Sequence, residues 1–302
     1  MFTIAIHGGA GSLTRASTND QQEEEYKKGL RDALEAGYAV LARGGNAVEA
    51  VEKSVMALEN NPLFNAGKGS VFTAEGTHET DAAMMCGRTL EAGAIAGVTN
   101  VRNPISLARA VMEQSENVLL AGNGAMDFAK AHGVAFEANE YFDTQHRREE
   151  LEKAQEKEEG KNTGKGTVGA VALDESGNIA VATSTGGITN KKFGRVGDSP
   201  VIGGGTYADN HTCAVSCTGD GEFFIRLVTA YDVASLVRYK NIMLSEACDT
   251  AIQKLTQLGG EGGLIALDTK GNVELKFNCE SMLRAWKNDR GEGSINVWQN
   301  EK

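Results

Sequence analysis

The chain has 302 residues, long enough for one large core, and a net charge of −11 that argues against nucleic acid or anionic membrane as partners. No apolar run approaches the ~20 residues of a membrane helix, and MFTIAIHGG has no basic leader, which speaks against a signal peptide. The five cysteines form no CxxC pair, so buried free thiols and a reducing cytoplasm are expected.

In chain order, Phe2–Ile6 reads as a strand entering the glycine loop His7–Gly11. Asp20–Arg43 is an amphipathic helix with Tyr26, Leu30, Leu34, Tyr38 and Leu41 on one face. Gly44-Gly45 stops it, and Asn46 can cap a second helix carrying Val48, Val51, Val55 and Leu58. Strand-like stretches follow near Ser70–Thr73, Glu79–Met85 and Gly93–Val98, then a helix near Pro104–Glu113. Of the fifteen residues Arg147–Lys161 eleven are charged, and Leu151 is the sole sizeable apolar side chain among them. Such a stretch buries too little surface to offset its ordering entropy, so a flexible linker is predicted over about 147–166. Beyond it, Thr167–Leu173 and Ile179–Thr183 flank the turn DESGN, and Leu264–Leu267 and Val273–Phe277 flank DTKGN in the same way. Between these hairpins, Asp220–Arg238 and Leu244–Leu255 read as helices. Strands grouped in hairpins and helices grouped in pairs indicate an α+β class rather than a βαβ alternation.

Gly164–Gly169 matches GxGxxG but follows a charged tract and opens a strand, where no helix amides are free to hold a pyrophosphate. HGGAG lacks the Lys-Ser/Thr of a phosphate loop. Nucleotide binding is therefore not expected. A threonine at the junction of a flexible tract and a strand suggests a chain that cuts itself and uses the freed residue as nucleophile. On that feature alone, a surface loop or frayed helix whose strand happens to begin with Thr is the favoured reading, since Thr is a common strand residue.

The wider pattern separates these readings. HGGAG, LFNAG (Leu63–Gly67), GTVGAVALD (Gly166–Asp174), ATSTGG (Ala182–Gly187), GRVGDSP (Gly194–Pro200) and CTGDGE (Cys217–Glu222) occur in that order. Together, from about Ile4 to Trp286, they resemble the isoaspartyl peptidase / plant-type L-asparaginase family of N-terminal-nucleophile (Ntn) hydrolases. The resemblance implies a four-layer αββα sandwich and cleavage between Gly166 and Thr167. It implies an α subunit of residues 1–166, a β subunit of 167–302 and an (αβ)2 assembly. The substrates it implies are small molecules, L-asparagine and β-aspartyl dipeptides, with no organic cofactor.

A free α-amine with a reference pKa of about 7.7–8.0 would give Thr167 its own base. This removes the need for a histidine: His7 sits in the glycine loop, and His78, His132, His146 and His211 read as satisfied surface or boundary residues. By resemblance, Thr185 orients the nucleophile, and Thr218 and Gly219 receive the oxyanion. Arg195 and Asp198 hold the substrate's α-carboxylate and α-ammonium, with Gly221 beside the amine, and Asn65 supports cleavage geometry. On spacing alone, Arg195 and Asp198 would read as a surface ion pair. The segment Leu58–Lys68 matches the family's sodium loop, implying backbone-carbonyl ligands at Leu58, Glu59, Asn61, Phe64, Ala66 and Lys68. Asp220 stands where a smaller neutral residue is usual, and its carboxylate would either weaken oxyanion binding or face solvent. A glycosylasparaginase, or an uncleaved inactive scaffold, remains the alternative.

Overall fold

The computed structural model describes residues 1–156, 166–299 and 301, so linker positions 157–165 lie outside the described residues. Strand β1 (Thr3–Ala10) leads into helices α1 (Asp20–Ala42) and α2 (Ala47–Glu59). Strands β2 (Thr80–Cys86) and β3 (Ala92–Val98), helix α3 (Pro104–Gln114), β4 (Leu119–Ala121), α4 (Gly122–Ala131) and α5 (Gln145–Glu156) follow. After Gly166 come β5 (Val168–Leu173), β6 (Ile179–Thr185), β7 (Thr206–Ala208) and β8 (Cys213–Gly219). Helices α6 (Gly221–Leu227), α7 (Thr229–Lys240) and α8 (Leu244–Gln257) precede β9 (Gly262–Asp268), β10 (Val273–Phe277), β11 (Ser281–Asn288) and β12 (Gly293–Trp298).

The strands form an eight-stranded sheet, β12-β11-β1-β5-β6-β2-β3-β4, and a four-stranded sheet, β10-β9-β8-β7. Helices α1, α2 and α3 contact strands of the larger sheet, α7 and α8 contact the smaller one, and β5 and β6 also touch β8. Every residue of β5 and β6 is buried, which is why VGAVAL and IAVATST read as continuous rather than alternating runs. Side chains such as Val171 and Val181 share one buried cluster with Ile265 and Leu267 of β9.

Local chemistry sets the boundaries. Asn19 and Gln22 form a reciprocal capping box at the start of α1, and Asn46 Oδ1 accepts from Glu49 N at 2.8 Å at the start of α2. The two hairpin turns are built alike. Asp174 Oδ1 accepts from the amides of Ser176 and Asn178, and Asp268 Oδ1 from those of Lys270 and Asn272.

Several expectations are corrected. Ser70–Thr73 is not a strand; it makes one isolated bridge, from Thr73 to Lys191. The helix expected over Asp220–Arg238 breaks at Val228, whose φ of 51° is left-handed. The amides of Ala230 and Tyr231 there donate to the carbonyls of Gly204 and Gly203, so a new helix starts against that loop. The first part of the charged tract is helical, as α5, and anchored: Arg147 is 5% exposed and its Nε donates to Gly69 O at 2.8 Å. His7 lies inside β1 rather than in a loop, and His78 is buried rather than superficial. All five cysteines are free, but Cys86 and Cys279 are only half-buried.

Candidate active site

The hairpin register creates the centre of the site. Val168 pairs with Ser184 and Gly169 with Thr183, so one step further Thr167 stands opposite Thr185. Thr167 Oγ1 donates to Thr185 Oγ1 at 3.4 Å, and Thr185 Oγ1 donates to the carbonyl of Gly166 at 3.0 Å. Asn65 Nδ2 donates to the same carbonyl at 2.9 Å and to Gly187 O at 2.8 Å, while its Oδ1 accepts from Val71 N. The Gly166 carbonyl therefore receives two side-chain donors beside the hydroxyl of the next residue. Gly166 has a φ of 146°, a conformation that L side chains rarely adopt. Thr167 itself is only 6% exposed.

The smaller sheet brings in Thr218 and Gly219 at the end of β8. Thr218 Oγ1 accepts from Ala10 N at 3.2 Å, which leaves its hydroxyl proton available for another acceptor. The neighbouring Gly9 packs on the Gly166–Thr167 junction: a Cβ there would lie 3.2 Å from Gly166 Cα and 3.7 Å from Thr167 N. Asp220 is tied to the loop before β9, its amide donating to Glu261 O and its Oδ2 accepting from Glu261 N, both at 2.9 Å. The carboxylate is therefore engaged by backbone and does more than face solvent.

Arg195 and Asp198 converge on Gly221. A Cβ at Gly221 would stand 2.7 Å from Asp198 Oδ1 and 2.9 Å from Arg195 Nη2, so only glycine leaves that corner open. The pair is not a surface ion pair. Asp198 is 3% exposed with Oδ2 unpartnered, whereas Arg195 Nε donates to Glu222 Oε1 at 2.9 Å. Burial pushes the Asp198 carboxyl up to about 7. Gly187 links both halves: its amide donates to Thr185 Oγ1, its carbonyl accepts from Asn65, and Arg195 Nη1 lies 3.6 Å from where its Cβ would be.

The carbonyls of Leu58, Asn61, Phe64 and Ala66 each accept a backbone amide within the turn, and each keeps a second lone pair. Glu59 O and Phe64 O crowd Gly67 and Gly69, where a Cβ would approach to 2.6 Å and 2.1 Å. This all-oxygen donor set suits a hard monovalent cation. The loop is coupled to the site through Glu59, whose buried Oε1 accepts from Ser184 Oγ at 2.7 Å and from Ile105 N at 2.9 Å. Among the described residues no His/Cys/Asp/Glu group could hold a metal ion through side chains.

Sequence reasoning missed two features. The motif CTGDGE assigns no role to Glu222, which accepts from Arg195, and the glycine pattern reads His7 as a loop residue. His7 Nδ1 in fact lies 2.9 Å from Thr167 O. No local signal reports a contact across 160 positions.

The pattern that defines the asparaginase family matches residues 1–297. An isoaspartyl peptidase of Escherichia coli is 51% identical over 94% of this chain and 92% of its own. A plant-type L-asparaginase of Thermococcus kodakarensis is 43% identical over 96% of this chain and 97% of its own. An isoaspartyl peptidase/L-asparaginase of Xenopus laevis is 41% identical over 92% and 90% respectively.

Proposed function

The chain belongs to the asparaginase family, and from that premise we propose that it is a self-processing amidohydrolase that releases aspartate from β-aspartyl dipeptides and L-asparagine. The observation that carries this reading is the Gly166 carbonyl, held by Asn65 and Thr185 beside the Thr167 hydroxyl. Thr167 Oγ1 attacks that carbonyl, the C–N bond breaks, and water hydrolyses the resulting ester. Gly166 becomes a carboxylate and Thr167 gains a free α-amine, the base for all later turnovers.

In each turnover Thr167 Oγ1, oriented by Thr185, attacks the side-chain amide carbonyl of the substrate. Thr218 and the Gly219 amide stabilise the oxyanion; losing one such donor typically costs about 3–4 kcal/mol of barrier. Ammonia or the second amino acid leaves, and water frees aspartate from Thr167. Arg195 holds the α-carboxylate, and Asp198 with Gly221 holds the α-ammonium. The mature unit is an α subunit of residues 1–166 and a β subunit of 167–302, and two such pairs form (αβ)2. The four-layer αββα order is supported by helices contacting each sheet and by the β5, β6 and β8 contacts between them. Sodium at the carbonyls of Leu58, Glu59, Asn61, Phe64, Ala66 and Lys68 would brace the loop next to Asn65. Exchange of sodium for choline salt should then lower the melting temperature. Free cysteines favour a cytoplasmic setting.

Intact-mass analysis on incubation should show one chain becoming two, with Thr167 opening the smaller. Thr167→Ala should stay whole and inactive. A full-length species with full amidase activity would sink the mechanism. Hydrolysis of GlcNAc-asparagine in preference to β-Asp-Leu and asparagine would instead favour a glycosylasparaginase.

A further inference from the structure

His7 is fully buried in β1 and has no part in the steps above. Its Nδ1 lies 2.9 Å from the carbonyl oxygen of Thr167 and its Nε2 lies 2.8 Å from Ser216 Oγ. From Ser216 the contacts run to Thr183 Oγ1 at 2.8 Å and from there to Thr206 Oγ1 at 2.7 Å. Thr206 Oγ1 lies 2.9 Å from the carbonyl of Ser199, the residue after Asp198.

A carbonyl can only accept, so Nδ1 carries the proton. Burial pushes His7 down to about 3, against the smaller pull of the Thr167 carbonyl, so Nε2 is a bare acceptor near neutral pH. Ser216 therefore donates to His7 and Thr183 to Ser216, while the single hydroxyl proton of Thr206 is shared between Thr183 Oγ1 and the carbonyl of Ser199. Gly169 is where this chain needs space. A Cβ there would stand 2.4 Å from His7 Nε2 and 2.1 Å from Ser216 Oγ, so the His7–Ser216 bond occupies the room a side chain would take.

We propose that His7 is a positioning residue for Thr167, fixing the carbonyl of the nucleophilic residue and tying it through Ser216, Thr183 and Thr206 to the backbone that carries Asp198. The proposal rests on the reading of Thr167 as nucleophile. Once the chain is cut, Thr167 loses its covalent anchor on the amino side. The bond to its carbonyl then limits rotation about its Cα–C bond, and with it where the amine and hydroxyl point.

Two substitutions divide the imidazole's contacts. His7→Asn can place an amide N–H near the Nδ1 position and keep the donor to Thr167 O. His7→Gln reaches toward the Nε2 position and keeps Ser216 while losing that donor. Mature protein is assayed on β-Asp-Leu, with Thr167→Ala as control and a thermal melt for each variant. In His7→Gln we expect kcat to fall about 100-fold with KM little changed, the usual result of a ~1 Å misplacement. His7→Asn should recover about tenfold or more of that loss. Near-normal kcat in His7→Gln, equal losses in the two variants, or a loss confined to KM each overturn the proposal. Should neither variant fold, Ser216→Ala carries the test: loss of one net hydrogen bond should lower kcat about fivefold, and an unchanged kcat overturns it. A Thr167→Ala protein that still hydrolyses substrate removes the nucleophile reading itself, an outcome separate from any result at His7.

Discussion

Asn65 donates its side-chain amide to the carbonyl of Gly166 at 2.9 Å across 101 positions of sequence, and with its second contact at Gly187 it spans both sides of the Thr167–Thr185 pair. In the proposed self-cleavage this makes it an oxyanion donor for the first reaction of the chain. Asn65→Ala should therefore slow processing by about 10²–10³-fold, the usual effect of losing one such donor. A time course of intact mass checks it, and cleavage at the normal rate would confine Asn65 to a turn-forming role.

Some of this site was legible in the sequence because the information is local. The turn DESGN fixes a hairpin, and counting outward from Asp174 and Asn178 places Thr167 opposite Thr185 without any knowledge of the rest. The caps at Asn19 and Asn46 are equally local. What was not legible depends on distant partners. Arg147 reads as one more charge in a solvated tract, yet its guanidinium is buried because Gly69 O meets it. The break at Val228 follows from carbonyls of Gly203 and Gly204 that no helical periodicity reports. β11 and β12 pair with each other and, through β11, with β1 across almost the whole chain length, so their short apolar runs carried no readable partner.

The proposed clamp predicts a split between the two reactions proposed for Thr167. The Gly166–Thr167 bond presents no α-carboxylate, so Arg195→Ala should cleave itself nearly normally. On β-Asp-Leu the same protein should lose about a hundredfold or more in kcat/KM, as expected for about 3–5 kcal/mol from an unpaired buried charge. Arg195→Lys should rescue only partly, because it lacks the planar fork. N-acetyl-β-Asp-Leu should be a very poor substrate for the wild type. Equal kcat/KM on free and acetylated dipeptide would dismiss the clamp.

Val228 is a β-branched residue held at φ 51° and 46% exposed, at the break between α6 and α7. Its side chain gains little from burial and its backbone is strained. Val228→Gly relieves the strain but adds unfolded-state entropy, so the net gain should be about 1 kcal/mol. Chemical denaturation measures it. A loss of stability would mean that contacts of the Val228 side chain outweigh its backbone strain.

In the proposed clamp, Asp198 carries the pH dependence of recognition. Burial raises its carboxyl to about 7, opposed by its own backbone amide and then by Arg195. Because the folded value lies above the ordinary one, ionising Asp198 draws on stability as pH rises from about 4 to about 7, so the empty site favours the neutral acid below that range's upper end. A substrate ammonium needs the carboxylate. Binding of L-aspartate to the cleaved enzyme should then expel about one proton near pH 6, and the dissociation constant should weaken about tenfold for each pH unit below about 7. The freed amine of Thr167, with a reference pKa of about 7.7–8.0, is already protonated there and does not contribute to this release. Titration calorimetry near pH 6 in two buffers of different ionisation enthalpy counts the proton directly. In Asp198→Asn the release should vanish together with most of the affinity. A wild-type enzyme that binds L-aspartate near pH 6 without expelling a proton, and equally tightly from about pH 5.5 to 7, would show that the α-ammonium is held by some other group.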